Sequence, residues 1–158
     1  MAVKNLTVLV LAAGIGKRLR SKTIKLLHLV AGRPMVAHVA EAAIALEPER
    51  VLAVVGPDGD RVREALSGAA TAFVVQDKPL GTGHAVLSAA RELGSRGGLT
   101  LLIVNGDLPT LRASTLKALV ALHRRSKAAL TLVTAVLPDA SGYGRVVRDA
   151  RGGVERIV

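Results

Sequence analysis

Leu6-Thr7-Val8-Leu9-Val10-Leu11 runs directly into Ala12-Ala13-Gly14-Ile15-Gly16-Lys17-Arg18-Leu19. The first six residues are an apolar run with β-branched content, the pattern of a strand covered on both faces. The small residues and glycines that follow let main-chain N–H groups approach a phosphate or a base without side-chain obstruction. Two familiar phosphate loops fail here. A dinucleotide fingerprint needs glycine where Leu19 stands, and a P-loop needs Ser or Thr where Arg18 stands. Taken alone, the stretch is equally a glycine turn that only reverses the chain.

Outward from this loop, strand and helix patterns alternate. Pro34 sits where a helix begins, and Met35, Val39, Ala42, Ala43 and Leu46 form an apolar stripe at helical spacing, with Pro48 as its stop signal. Val51 to Val55 is a second strand, Arg61 to Leu66 a short helix, and Ala72 to Val75 a third strand. Gly83 to Leu93 is a helix burying Val86, Ala89, Ala90 and Leu93. Thr100 to Val104 is a fourth strand, and Ser114 and Thr115 are caps for a helix that turns Leu116, Leu119 and Val120 inward. Leu130 to Val136 reads as a fifth strand, and 145–148 and 154–158 as two short ones joined through Arg151-Gly152-Gly153. The pattern predicts one α/β domain over residues 1–158, Rossmann-like, with a mostly parallel sheet, flanking helices and right-handed crossovers. Ligands of such sheets sit outside the carboxyl ends of the strands, where the loops after the first, third and fourth strands fall.

Composition narrows the function classes. Half of the 158 residues are apolar, yet Phe73 and Tyr143 are the only aromatic residues, so Val, Leu, Ile and Ala must build the core. There is no cysteine, which leaves oxygen or histidine to hold any metal. No apolar run reaches the roughly 18 residues of a membrane span, and Met1 to Thr7 lacks the order of a secretion signal. A cytoplasmic location without membrane contact is the expectation. The net charge is +10, and residues 1–40 supply seven of those charges with no acid among them. Six cations fall between Lys17 and Arg33, a cluster suited to a polyanion or, more plainly, to a solvated basic face. Nucleic acid is disfavoured, since aromatic residues for stacking bases are missing. His28, His38, His84 and His123 are scattered, with no metal-ligand spacing among them.

Four blocks carry a more specific resemblance. They are 11–19 with Lys25-Leu26-Leu27-His28 and Gly32-Arg33-Pro34-Met35; Gln76 with Leu80-Gly81-Thr82-Gly83-His84-Ala85-Val86; Asn105-Gly106-Asp107-Leu108-Pro109; and Gly142-Tyr143-Gly144-Arg145. In this order they resemble the signature of sugar-phosphate nucleotidyltransferases, of the nucleotide-diphospho-sugar transferase type. Within that family they are most similar to the N-acetylglucosamine-1-phosphate uridylyltransferase domain of bifunctional uridylyltransferase–acetyltransferases. The resemblance implies that UTP and N-acetylglucosamine 1-phosphate give UDP-N-acetylglucosamine and pyrophosphate with Mg²⁺ as cofactor. It implies main-chain nucleotide contacts from Leu11, Ala12, Ala13 and Gly14, and phosphate charge stabilisation by Arg18 and Lys25. Gln76, beside Gly81 and Thr82, would read the pyrimidine edge, since a carboxamide offers a donor and an acceptor together. Asp107 would be the metal ligand, with Asn105 and Gly106 lining the same pocket. Gly144 would lie against the sugar, leaving room for an N-acetyl group.

The chain departs from the family at Lys17, usually Thr, and at Ile24, usually Pro, where loss of the proline is expected to loosen the loop presenting Lys25. The family's later sugar contacts, a second metal ligand (an asparagine) and the acetyltransferase domain fall beyond Val158. The expectation is therefore a C-terminally truncated domain with a nucleotide half and an incomplete sugar half. The oligomeric state stays open. A nucleotide-binding module without turnover and a nucleotidyltransferase for another pyrimidine nucleotide or phosphorylated acceptor are the competing readings.

Overall fold

Along the chain, β1 (Val3–Ala12) is followed by a 3-10 turn (Lys25–Leu27), β2 (Leu29–Val30), β3 (Arg33–Pro34) and α1 (Met35–Ile44). Next come β4 (Pro48–Val55), α2 (Asp60–Ala65), β5 (Ala72–Val75), α3 (Thr82–Ser88), α4 (Ala90–Leu93), β6 (Thr100–Asn105) and α5 (Ala113–Ser126). The chain closes on β7 (Val146–Arg148) and β8 (Val154–Ile157). This computed structural model describes residues 3–14, 16, 19, 21, 23–94 and 98–158. They fall into two units, Met1–Ser126 and Lys127–Val158.

In the first unit β5, β4, β1 and β6 form one parallel sheet in that order. Alternate residues of β1 serve opposite faces, as the two-residue period of a strand requires. Leu6, Val8, Val10 and Ala12 join the larger core with α1, α2 and α5, while Leu9 joins Leu52, Val54, Ala85 and Ala89 on the other face. Helices therefore cover both faces, which is why β1 and β4 read as unbroken apolar runs. Leu9 and Leu52 are fully buried, each stabilising the sheet by roughly 1.5–3 kcal/mol. Among the described residues no helix is long and apolar enough to cross a membrane.

The chain steps outward from β1 to β4 and β5, then returns to the far side of β1 as β6. The strand order thus reverses at β1, and a crevice is expected beyond its carboxyl end.

Several local expectations are corrected. Pro48 is not a stop signal lying outside an element but the first residue of β4, a strand position that needs no donated hydrogen bond. Glu47 before it takes a positive φ of 51° after its N–H closes α1 onto the Ile44 carbonyl. The expected helix from Gly83 to Leu93 breaks at Ala89, and Ala85 rather than the exposed Ala90 completes its buried stripe. Ser88 Oγ donates to the His84 carbonyl at 2.9 Å, a back-bond that competes with the helix ladder. Ser114 and Thr115 are not caps. They lie inside the first turn of α5, whose earlier start lets the Arg112 carbonyl accept from Thr115 and Leu116.

In the second unit Leu130 to Val136 is not a strand. The one ladder of that unit is the antiparallel pair β7–β8. Strand propensity describes fit to a pleated, half-buried surface and does not substitute for a ladder partner. Here Leu130, Val133 and Val136 are exposed.

Candidate functional site

A cavity of about 380 Å³ opens at the carboxyl end of the sheet, in the range of small-ligand pockets. Its wall takes Leu11, Ala13 and Gly14 from the end of β1, Gln76 and Pro79 from the loop after β5, and Asn105 and Asp107 from the end of β6. The 3-10 turn adds Lys25 and Leu26, and the start of α3 adds Gly81, Thr82 and Ala85.

Most of the residues singled out from the sequence thus meet around one space. Ala12 and Gly106 do not reach it: both are buried, and Gly106 lies behind the wall. The Gly106 N–H donates to the Leu11 carbonyl at 2.9 Å. A Cβ there would meet that oxygen at 3.0 Å, Val36 Cγ2 at 3.3 Å and Leu26 Cδ1 at 3.5 Å. Gly106→Ala is therefore expected to destabilise the fold by about 1–3 kcal/mol, read as a lower urea midpoint at unchanged slope. Gly144 belongs to the second unit, where it packs against Ile157. Arg18 and Lys17 lie outside the described residues. Leu26, Pro79 and Ala85 were missed as cavity residues. Ala85 had a sequence signal, since it lies one turn beyond Gly81 and Thr82 on the same helical side.

Among the described residues Lys25 and Asp107 are the charged groups on the wall. Lys25 Nζ donates to Asp107 Oδ2 at 2.6 Å, with both side chains about one third exposed. Gly16 helps to direct this lysine. It has φ +69°, and a Cβ there would overlap Lys25 Cβ and crowd its Cγ at 3.2 Å and Cδ at 3.3 Å. The lysine stem therefore passes directly over backbone that only glycine leaves clear. Ile24 precedes it with φ −52° and packs against the core. That φ is within the range a proline would impose.

Gln76 is 5% exposed. Its main-chain N–H donates to the Val55 carbonyl at 2.8 Å. Its Nε2 donates to the Gly81 carbonyl at 3.2 Å and lies 3.0 Å from His84 Nδ1. Both amide hydrogens are thereby engaged, so the side chain does not present the donor–acceptor pair expected from its residue type.

Gly14 is informative for what surrounds it. Its φ lies outside the left-handed region, and a Cβ would have nothing within 4 Å. Among the described residues neither backbone conformation nor packing calls for glycine there, and the position lines the cavity.

A strand-end glycine loop, a lysine–aspartate pair and a cavity at the strand-order reversal stand where parallel α/β sheets receive their ligands. The chain belongs to the MobA-like NTP transferase domain family, whose model matches residues 8–144. It is 47% identical over 149 residues to the bifunctional protein GlmU of Listeria innocua, covering 94% of this chain and 32% of that protein. The GlmU of Ralstonia pickettii is 46% identical over 153 residues, 97% of this chain and 33% of the relative. The chain thus spans about a third of the length of these curated relatives. A UDP-glucose pyrophosphorylase solved with UDP-glucose shares the fold, with TM-score 0.72 and 21% identity over 94% of this chain and 64% of that one. The chain is accordingly an NTP transferase domain homologue with the expected parallel α/β architecture.

Proposed function

We propose that the chain binds UTP at this cavity and transfers its uridylyl group to N-acetylglucosamine 1-phosphate, yielding UDP-N-acetylglucosamine and pyrophosphate. The observation that carries the reading is the cavity wall itself, where Leu11, Ala13 and Gly14 at the end of β1 meet Lys25 and Asp107.

In the reaction a phosphate oxygen of the sugar ester forms a bond to the α-phosphorus. The bond from that phosphorus to the bridging oxygen breaks, and pyrophosphate departs with the electron pair. No covalent enzyme intermediate is needed, so positioning and electrostatics supply the acceleration. The backbone of Leu11, Ala13 and Gly14 lies open for the nucleotide. Lys25, with Arg18 by resemblance, stabilises charge on the phosphates, and Gln76 with Gly81 and Thr82 receives the base. In the second unit Gly144 is assigned to the sugar by resemblance alone.

The donor set fits Mg²⁺ in a limited sense. Asp107 offers one hard carboxylate beside Asn105, and among the described residues no group of three His, Cys, Asp or Glu could hold a metal by itself. One carboxylate suits an ion that keeps several waters and takes phosphate oxygens as further ligands. When bound, Mg²⁺ would neutralise and align the phosphates. The same carboxylate accepts from Lys25 Nζ.

Titration calorimetry with UTP, with and without Mg²⁺, tests the binding half, and pyrophosphate release with the sugar phosphate tests turnover. Mg²⁺-assisted UTP binding with release is expected. Binding without release would identify a nucleotide-binding module instead. A preference for GTP would remove the base assignment.

A further inference from the structure

We propose that His84 is a positioning residue for base recognition: through Nδ1 it holds the Gln76 amide with Oε1, an acceptor, turned to the cavity. The inference rests on the nucleotide-binding reading above and deepens it.

The Gly81 carbonyl can only accept, so the amide atom 3.2 Å from it must be the nitrogen. The second N–H then points to His84 Nδ1 at 3.0 Å, which requires the neutral imidazole with its proton on Nε2. Turning the amide over would set Oε1 against the Gly81 oxygen, replacing that bond with a contact between two acceptors. Oε1 itself accepts no hydrogen bond from the described residues. It is also not a buried atom lacking a partner, a state that among the described residues belongs to His28 Nε2. It therefore keeps a solvent-facing surface on a side chain that lines the cavity and is otherwise almost wholly buried.

The consequence follows from the base. In a uridine nucleotide, N1 carries the sugar and N3–H is the one hydrogen-bond donor on the ring. An acceptor-only Gln76 can pair with that group alone. Cytosine has a lone pair at the same position, so an amide held in this orientation rejects it there. His84 thus contributes to discrimination without touching the nucleotide. The structure also shows why it is held at the right height. It stands on α3 one turn beyond Gly81, so one helix end supplies both anchors of the amide.

The experiment compares UTP and CTP affinities by calorimetry in the unaltered chain, His84→Ala and His84→Asn. Asparagine places Oδ1 where the imidazole holds Nδ1 and so restores an acceptor. The unaltered chain should prefer UTP. His84→Ala should lower the UTP:CTP preference by about tenfold, and His84→Asn should recover most of it. In the unaltered chain, ¹⁵N NMR should show scalar coupling between Gln76 Nε2 and His84 Nδ1 without any nucleotide. An unchanged UTP:CTP ratio in His84→Ala, with UTP still bound, overturns the role of His84 and leaves the nucleotide reading intact. Failure of the unaltered chain to bind either nucleotide overturns both.

Discussion

Asp107→Asn is expected to abolish the Mg²⁺ enhancement of UTP binding and to cut pyrophosphate release on the order of a thousandfold. The substitution keeps the shape of the side chain and removes its charge. It deprives a hard cation of its carboxylate and leaves Lys25 without its partner. Stability should hardly move, because an ion pair with about a third of each side chain exposed contributes only about 0–1 kcal/mol. Thermal unfolding followed beside the activity assay separates the two effects. Unimpaired, Mg²⁺-stimulated release by the Asn variant would take Asp107 out of the mechanism.

Lys25→Met should produce two changes of opposite sign. UTP affinity should fall by about a hundredfold or more, since a cation aimed at phosphate in a partly closed site is lost. Divalent-ion affinity without nucleotide should rise by a few-fold, because Asp107 no longer shares its charge with the ammonium 2.6 Å away. Mn²⁺ titration followed by electron paramagnetic resonance reads the second change. A lysine on a merely solvated basic face would move neither quantity appreciably, and a fall in both would contradict the competition between Lys25 and the metal for Asp107.

These expectations rest on a site whose members were legible to different degrees. Ala72–Val75 emerges as a strand with the bounds expected from its composition, and β1, β4 and β6 extend the expected runs by a few residues. Burial on both faces demands uninterrupted apolar residues, so such strands announce themselves. The split at Ala89 was not visible in the apolar spacing; beside it Ser88 bonds back to the His84 carbonyl. Leu130 to Val136 carried the same apolar signal as a true strand without a ladder to join. Residue type alone did not show how the Gln76 amide is engaged. Its donors are visible as a class property, but whether they are free depends on Gly81 and His84.

From the amino-acid order alone came the parallel α/β class, the glycine loop after the first strand and the residues to suspect, because side-chain periodicity and local backbone freedom are properties of neighbouring positions. Only the folded chain decided that Lys25 would meet Asp107 across 82 residues, that Gly106 would pack behind the cavity, and that the Gln76 amide nitrogen would turn to Gly81 and His84. Those outcomes depend on which strands become neighbours and on which donors are already engaged, and both are settled by the closing of the sheet around β1.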